Sequence, residues 1–513
     1  MANESRVKKS FLNARVNFLC YLVVLFISFY TRKIFLEKLG TDFIGLTGTL
    51  SSLLGFLNLA ELGVGSAIGY VLYKPISDGD RVKINEVISV FGYLYRWIGF
   101  FILGAGIVLS VFIPLIFPDT IFQFGVIYMG YYAYLASSMI GYFVNYRSVL
   151  LGADQRNYIV TGYFQLTNII RVLIQMVLAI YIQNFYLYFA LELIFGIINS
   201  IILNWKINII YPWLKSEICL GRQLFKKYPE IGKYVKQLFL HKIGAFVYGQ
   251  ITPFLIYAYV ALPVVALYGN YTTITQKVQG LVLGVLDSTG AGVGNLISEG
   301  DNQKSYKIYQ ELFSVRFWIS AILTFCFFRL SNSFILLWLG EEYLMSSLII
   351  ALISVQFFLS FLRGITDQFL FGYGLFYDVW APAAESILFV AVAMIAGKAW
   401  GLSGVLCGPI VSTIIIIYIW KPYFLFTKGF KKSYLAFALF FIVHSIPMLL
   451  AFFGTDYVVD RFFSDKISSY SWLNWIIESA MFTTIISISS FVLLYPISSG
   501  LRSFVHRFIH IRR

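Results

Sequence analysis

Residues 61–80 read ELGVGSAIGYVLYKPISDGD, and residues 287–301 read DSTGAGVGNLISEGD. Each stretch starts with an acidic residue, continues through glycines among apolar residues, and closes with Gly-Asp. The closing residues Asp80 and Asp301 lie 301 − 80 = 221 positions apart, which is too far for a local repeat. A tryptophan follows 17 positions after each of them, at Trp97 and Trp318. The match indicates two copies of one structural unit, with a chance match in a glycine-rich chain as the alternative.

The composition places both copies in a membrane. Of the 513 residues, 59% are hydrophobic and 12% are charged, and the mean hydropathy is +0.77. Soluble domains carry about 25% charged residues. A membrane-spanning helix needs about 20 consecutive apolar residues, and such runs recur along the whole chain. The sequence therefore predicts an all-α polytopic membrane protein. Its first apolar run lacks a small-residue cleavage site, so we expect a retained helix rather than a signal peptide.

The charged residues predict how the helices are threaded. The apolar runs give about 14 spans, including one over residues 43–73 and one over residues 264–298. Lys and Arg concentrate in alternate connecting segments, which face the cytoplasm in multi-pass proteins. We therefore expect both termini in the cytoplasm. The net charge of +14 reflects this placement, and no nucleic-acid partner is expected.

The spans fall into two groups of six followed by two more. This arrangement predicts an N-terminal lobe over residues 1–211, a cytoplasmic amphipathic linker over 212–239, a C-terminal lobe over 240–430, and two additional helices with a basic cytoplasmic tail over 431–513. Two six-helix halves related by an axis along the membrane normal are a known transporter plan. Basic residues beside an apolar face are typical of helices on an anionic membrane surface. For the tail, a solvated run of charge is the alternative.

Basic residues inside the predicted spans are costly in hydrocarbon and tend to face a cavity or a partner. Such residues predict a cavity for an anionic substrate, because guanidinium and ammonium groups bind phosphate. The candidates are Arg32, Lys33, Arg171, Lys277, Arg329 and Arg363. Arg171, Lys277 and Arg329 have no acidic neighbour in the local sequence. Arg32 and Lys33 could instead extend to the membrane surface, and Arg363 could pair with Asp367 four positions on.

A second set of residues predicts a gate or an ion-coupling site. The acidic residues could bind a coupling ion such as Na⁺ or H⁺, or lock a gate, and they are Glu61, Asp287 and Asp367. The neighbouring glycines would let helix backbones approach closely, with plain packing as the alternative, and they are Gly63, Gly65, Gly290 and Gly292. His444 is a candidate proton acceptor, with a hydrogen-bonded packing histidine as the alternative.

The sequence carries no sign of an enzyme. The four cysteines are isolated, which indicates neither a metal site nor a disulfide framework. No zinc-protease, hydrolase-nucleophile or nucleotide-loop motif occurs. We therefore expect no catalytic residue, no metal and no cofactor.

Residues 39–99 carry a family resemblance. They read LGTDFIGLTGTLSSLLGFLNLAELGVGSAIGYVLYKPISDGDRVKINEVISVFGYLYRWIG, with the patterns LGxxxxGL and LxxAELGxGSAIGYxLYKPxxxGD. The sequence here resembles Wzx-type polysaccharide and O-antigen flippases, in the polysaccharide-transport branch of the multidrug/oligosaccharidyl-lipid/polysaccharide (MOP) superfamily. The resemblance implies a MATE-like fold with two pseudo-symmetric six-helix lobes and two C-terminal helices.

The resemblance also implies a function. Such proteins move undecaprenyl-pyrophosphate-linked oligosaccharide across the bacterial inner membrane by alternating access, during O-antigen, capsule or exopolysaccharide biosynthesis. The expected partners are this lipid-linked substrate, membrane lipid, and polysaccharide polymerase and chain-length proteins. A lipid II flippase and a MATE-like cation-coupled drug antiporter are the alternatives.

Overall fold

A computed structural model describes residues 6–61, 63–118, 120–375, 378, 380–463 and 471–511. Every regular element in these ranges is helical, which confirms the all-α fold class. Nine of the described helices are long and apolar enough to cross a membrane, so the chain is a multi-pass membrane protein. The number of about 14 spans stays a prediction.

The chain forms two compact units that divide between Ala266 and Leu267. The helices of the first unit are α1 Arg6–Leu39, α2 Thr41–Leu57, α3 Val64–Asp78, α4 Arg81–Val111, α5 Ile113–Ile116, α6 Phe124–Phe143, α7 Val149–Ala153, α8 Asn157–Tyr181, α9 Phe185–Ile210, α10 Gly221–Lys227 and α11 Pro229–Tyr259. Helix α12, Leu262–Leu286, begins in the first unit and ends in the second.

The helices of the second unit are α13 Gly290–Ser298, α14 Asn302–Trp338, α15 Ser347–Gly372, α16 Ala381–Thr413, α17 Lys421–Phe424, α18 Tyr434–Phe463, α19 Trp472–Leu494 and α20 Ser499–Ile511. Helix α11, which the sequence assigned to the linker up to residue 239 and to the C-terminal lobe from residue 240, packs on α2 and α3 of the first unit. The division of the chain into two lobes that move during transport stays a prediction.

The repeated Gly-Asp closure has the same structural role in both units. Gly79 follows α3 and Gly300 follows α13, with φ of 70° and 79°, a left-handed conformation that favours glycine. The next residue caps the following helix. A first-turn amide donates a hydrogen bond to the side chain of Asp80 at 3.0 Å, and to that of Asp301 at 2.9 Å. Such a cap satisfies amide groups that a helix start leaves unpaired.

The two stretches that contain this motif are broken helices. The span predicted over residues 43–73 consists of α2 and α3, separated by a 3-10 turn at Asn58–Glu61. The span predicted over residues 264–298 consists of α12 and α13, separated by a 3-10 turn at Asp287–Thr289. Neither stretch is one continuous helix, and in each the acidic residue lies at the break. In transporters, such breaks are where substrate and ion sites form.

The predicted linker over residues 212–239 packs on the first unit. It contains α10 and the first turns of α11, and α11 continues without interruption into the next predicted span. Lys227 donates hydrogen bonds of 2.7 and 2.8 Å to the carboxylate of Glu86 on α4, which raise the pKa of Lys227. Ile231, from the apolar face of the linker, is fully buried. At these positions the linker contacts the first unit, and its contact with a membrane surface stays a prediction.

Helix α16 bends at Gly401, where φ is 56° and ψ is −129°. Glycine adopts this conformation without the strain that a Cβ atom would cause. The bend falls between the spans that the sequence predicts over residues 378–398 and 402–420, inside the 50-residue apolar stretch Ala381–Phe430. Two π-helical segments, Ile414–Trp420 and Leu425–Phe430, follow the bend.

The C-terminal helix α20 packs against α14. Gly500 allows a close approach, since a Cβ atom there would lie 2.3 Å from a backbone oxygen of α14. Beneath it, Nε2 of His444 lies 3.0 Å from Oγ of Ser314 and 3.0 Å from Oγ of Ser498. His444 is therefore a hydrogen-bonded packing residue, and the start of the predicted tail is fixed on the second unit.

Candidate functional site

The break in the first unit places a carboxylate among buried tyrosines. The 3-10 turn carries Asn58 and Glu61, and Gly63 then starts α3 with a left-handed φ of 87°. Tyr95 on α4 donates a hydrogen bond of 2.8 Å to Oε1 of Glu61. Tyr142 on α6 donates one of 3.0 Å to Oδ1 of Asn58. Both rings are buried, so the two phenols satisfy polar groups that the broken helix places in the interior.

These residues line a cleft of about 640 Å³ in the first unit. Its hydroxyl and amide groups come from Ser66, Ser137, Ser138, Asn145, Ser148 and Asn157. Its tyrosines are Tyr73, Tyr95, Tyr142 and Tyr146. The Oγ of Ser137 is buried and has no hydrogen-bond partner in the described part of the chain, which is expected of a group that meets a ligand or water.

The cleft is polar but almost uncharged. Among the described residues that line it, Glu61 is the only acidic residue, and none is Lys or Arg. None of the six basic residues predicted to line a cavity is among the described residues of this cleft. Contact between these basic residues and a substrate stays a prediction.

Glycines form part of the cleft wall. A Cβ atom on Gly65 would meet the hydroxyl of Tyr95 at 3.4 Å, and one on Gly69 would meet nothing within 4 Å. In this conformation Gly65 and Gly69 therefore leave room for the cleft, and a gating role for Gly65 stays a prediction. A larger side chain at Gly65 would project into the cleft.

The break in the second unit carries an ion pair instead, between a buried arginine and a half-exposed aspartate. Asp287 contacts Nη2 of Arg316 on α14, and Arg316 is only 2% exposed. Gly364 on α15 provides the space, since a Cβ atom there would lie 2.8 Å from Nη1 of Arg316 and 2.9 Å from Oδ1 of Asp287. Gly290 begins α13, and a Cβ atom on Gly292 would meet nothing within 4 Å.

Tyr95 and Arg316 occupy equivalent positions in the two units. Tyr95 lies 95 − 80 = 15 positions after the capping Asp80, and Arg316 lies 316 − 301 = 15 positions after the capping Asp301. Each side chain returns to the acidic residue of its own broken helix. One scaffold therefore presents a carboxylate hydrogen-bonded to a neutral phenol in the first unit and a carboxylate paired with a guanidinium in the second.

The predicted cations of the first unit contact other residues of the same unit. Arg171 on α8 pairs with Glu192 on α9 and donates a hydrogen bond to Asn168. Arg32 donates a hydrogen bond of 2.9 Å to the backbone oxygen of Ala266. Lys33 is 3.8 Å from Glu37, one turn along α1, and both side chains are largely exposed.

Two predicted residues of the second unit, Arg363 and Asp367, form a connected ion-pair network. Arg363 on α15 donates hydrogen bonds of 2.8 and 3.0 Å to the two carboxylate oxygens of Glu385 on α16. Asp367 lies 3.9 Å from Arg363 but contacts Lys421 on α17 more closely. The expected pairing within α15 is therefore secondary to pairs between helices. Lys277 is partly buried on α12.

Arg329 lies in an acidic surrounding. Its guanidinium is 3.2 Å from Asp456, 2.6 Å from Asp460 and 3.1 Å from Glu478. These carboxylates belong to α18 and α19, so the basic side chain on α14 joins the last two long helices. No cluster of three side chains suited to a metal ion occurs among the described residues.

Three site residues were not predicted from the sequence, namely Tyr95, Tyr142 and Arg316. Tyrosines are frequent in this chain, at 36 positions, so their type alone gave no signal. The usable signal was positional, because Tyr95 and Arg316 occupy the same place relative to the repeated Gly-Asp closure.

Comparison with known proteins bears on the fold. No protein-family model matches the sequence, and no curated protein matches it. Among solved structures, the lipid II flippase MurJ in an inward closed conformation is similar over 95% of this chain and 99% of that chain, with a TM-score of 0.67 and 14% identity. An inward-facing multidrug resistance MATE family transporter of the MOP superfamily is similar over 80% of this chain and 98% of that chain, with a TM-score of 0.60 and 15% identity.

The protein has a MATE-like fold. A mutant of the Vibrio cholerae MATE transporter VcmN is also similar, over 83% of this chain and 98% of that chain, with a TM-score of 0.51 and 13% identity. At such low identity, the similarity establishes the fold, while the substrate has to be argued from the site.

Proposed function

We propose that this protein is a flippase that moves undecaprenyl-pyrophosphate-linked oligosaccharide across the bacterial inner membrane by alternating access. Its product would serve the synthesis of a surface polysaccharide such as O-antigen, capsule or exopolysaccharide. The observation that carries the proposal is the hydroxyl-rich, tyrosine-lined cleft of the first unit on a MATE-like fold.

The lining of the cleft suits a sugar. Serine hydroxyls and asparagine amides both donate and accept hydrogen bonds, as sugar hydroxyls do. Tyrosine rings offer flat apolar faces for the C–H faces of sugar rings, with a hydroxyl at the edge. A cleft of about 640 Å³ lies in the usual range for small-ligand sites, about 300–1,000 Å³.

The pyrophosphate requires cations, and the proposal assigns this role to basic residues in the spans. Lys277, on the helix that precedes the second break, is one candidate. Arg171, Arg329 and Arg363 already contact carboxylates. These arginines can bind a phosphate only if it replaces the carboxylate, since an unpaired buried charge is costly.

The proposal includes a location and a driving force. The distribution of Lys and Arg supports cytoplasmic termini, and the proposed cargo places the protein in the bacterial inner membrane. Transport would need no resident cofactor, and a gradient of Na⁺ or H⁺ could drive it, with Glu61 as the carboxylate that exchanges the ion. The partners would be membrane lipid and the polymerase and chain-length proteins that act on the flipped product.

A depletion experiment tests the cargo. Cells of the source organism are depleted of the protein, and polyprenyl-linked intermediates are analysed by mass spectrometry, with wild-type re-expression as the control. We expect one undecaprenyl-pyrophosphate oligosaccharide to accumulate on the cytoplasmic side. An unchanged pool of lipid-linked intermediates would refute the flippase proposal.

Two alternatives each have an observation in their favour. The TM-score of 0.67 to the lipid II flippase MurJ favours a lipid II flippase, and accumulation of lipid II would establish it. Glu61, as the acidic group in an otherwise uncharged cleft, favours a MATE-like antiporter of cationic drugs. Increased sensitivity to cationic compounds with unchanged lipid-linked intermediates would establish that function.

A further inference from the structure

The second unit has a cleft of its own, of about 650 Å³, where α13, α14 and α20 meet. The cleft is mostly apolar, with lining side chains from Val293, Leu296, Ile308 and Leu312. It also has a basic edge, formed by Lys304, Lys307 and Arg507. An apolar floor beside a cluster of positive charge suits a ligand that is both anionic and lipidic.

The sequence of α14 places both properties on one side of the helix. Lys304, Lys307 and Ile308 are three and four positions apart, which puts them on the same face. Leu312 follows one turn later. The two lysines lie in the first turns of α14, just after the capping Asp301, whereas the apolar residues follow further along the same helix.

Helix α20 forms a fixed wall of the cleft. Nη2 of Arg507 lies 2.9 Å from Oε2 and 3.1 Å from Oε1 of Glu311, and the Glu311 side chain is only 4% exposed. The Arg507 side chain is about half exposed and borders the cleft. Together with the close approach at Gly500, this pair holds α20 against α14.

The net charge of the cleft residues is positive after their ion pairs are counted. Lys304 contacts Glu299 and Arg507 contacts Glu311, which leaves three basic groups against two acidic ones. The contact between Lys304 and Glu299 joins two side chains that are each more than half exposed, so it is weak and easily exchanged for another anion.

The geometry points to a binding site for an anionic phospholipid of the surrounding membrane. Its phosphate would lie among Lys304, Lys307 and Arg507, and an acyl chain would cover the floor formed by Val293 and Ile308. Basic pockets between membrane helices bind anionic headgroups in this way. A resident phospholipid is favoured over a rare polyprenyl phosphate, because the more abundant ligand fills a site of shared chemistry by mass action.

Occupancy of this site would act on the broken helix of the second unit. Gly292 and Val293 line the cleft and belong to α13, which starts directly after the turn that carries Asp287. A lipid held there would contact α13 along the cleft and support the position of that helix. The inference concerns a site separate from the cleft of the first unit and does not depend on the proposed cargo.

Native mass spectrometry of the full chain in detergent tests the site. Phosphatidylglycerol and phosphatidylcholine with identical acyl chains are titrated against the wild type and a Lys304→Gln/Lys307→Gln variant. Arg507 is left in place because its loss would unpair the buried Glu311. The matched control is Lys428→Gln/Arg502→Gln, which removes the same charge from exposed positions of the second unit that do not line the cleft.

We expect the wild type to bind phosphatidylglycerol more tightly than phosphatidylcholine. The cleft variant should bind phosphatidylglycerol about 30-fold more weakly, at about a factor of five for each basic residue, and the control variant should stay within about twofold of the wild type. Equal weakening in both variants, or no weakening in the cleft variant, would overturn the site. Displacement of bound phosphatidylglycerol by substoichiometric undecaprenyl phosphate would overturn the assigned ligand.

Discussion

Replacing Asp287 by Asn tests the ion pair at the second break. The change keeps a hydrogen-bond acceptor beside Arg316 but removes the charge that neutralises a guanidinium with 2% exposure. Removing one partner of a fully buried pair costs about 3–5 kcal/mol, whereas exposed pairs contribute about 0–1 kcal/mol. The Asp287 side chain is 51% exposed, so we expect an intermediate loss of about 2 kcal/mol.

The matched control is Glu61→Gln at the first break. Its partner is the neutral phenol of Tyr95, which can donate the same hydrogen bond to an amide oxygen, so we expect a change below about 1 kcal/mol. The assay is thermal unfolding of the purified full chain in detergent, followed by tryptophan fluorescence. For a unit of 513 − 267 + 1 = 247 residues, a loss of about 2 kcal/mol lowers the midpoint by about 4–8 °C.

A third variant separates the ion pair from other effects. Replacing Arg316 by Gln together with Asp287→Asn removes both charges, so the double variant should recover much of the stability that Asp287→Asn loses. The reasoning is refuted if Asp287→Asn leaves the midpoint unchanged, or if Glu61→Gln lowers it by the same amount.

Three further changes test the clefts and the packing around them. Gly65→Leu fills the cleft of the first unit. When this variant is re-expressed in depleted cells and reaches the membrane at normal abundance, the lipid-linked intermediate should still accumulate. Full clearance of the intermediate would contradict a role for the cleft. Glu385→Ala leaves Arg363 without its closest carboxylate and should lower stability by about 3 kcal/mol in thermal unfolding, and an unchanged midpoint would contradict this. Gly500→Ala forces α20 away from α14 and should lower the free energy of unfolding by about 1–3 kcal/mol. The control is Gly454→Ala, where a Cβ atom would meet nothing within 4 Å, and it should leave stability unchanged. Equal effects of the two changes would argue against close packing at Gly500.

Composition and the repeated motif predicted the fold class well. Apolar runs of membrane length require helices, because backbone groups in lipid must be paired within the segment. The Gly-Asp closure was recognisable because its role is local. Gly79 and Gly300 need a left-handed conformation, and the following aspartates cap a helix within three residues.

The partners of the charged residues could not be predicted in the same way. Arg171 lies 192 − 171 = 21 positions from Glu192, and the two meet only because α8 and α9 pack side by side. Arg329 contacts Asp456 from more than 100 positions away. Such contacts depend on which helices are neighbours, and this is set by packing across the unit rather than by local sequence.

The polar cleft escaped prediction for a related reason. Serines, asparagines and tyrosines occur throughout the chain, and each alone is compatible with simple packing. Only the break at Asn58–Glu61 brings α3, α4 and α6 together so that these side chains share one cleft. Charge is costly in a membrane and therefore gives the stronger signal in the sequence, which pointed to the cations.

The unequal chemistry of the two breaks has an electrical consequence. The pair of Asp287 and Arg316 is neutral as a unit, so a movement of that break along the membrane normal transfers no net charge. When the Glu61 carboxylate is ionised, its hydrogen bond to a neutral phenol leaves its charge unneutralised. Moving one charge across a membrane at 100 mV changes the energy by about 2.3 kcal/mol. Membrane voltage would therefore act on the first break and leave the second break largely unaffected, although each unit contains a broken helix of the same kind.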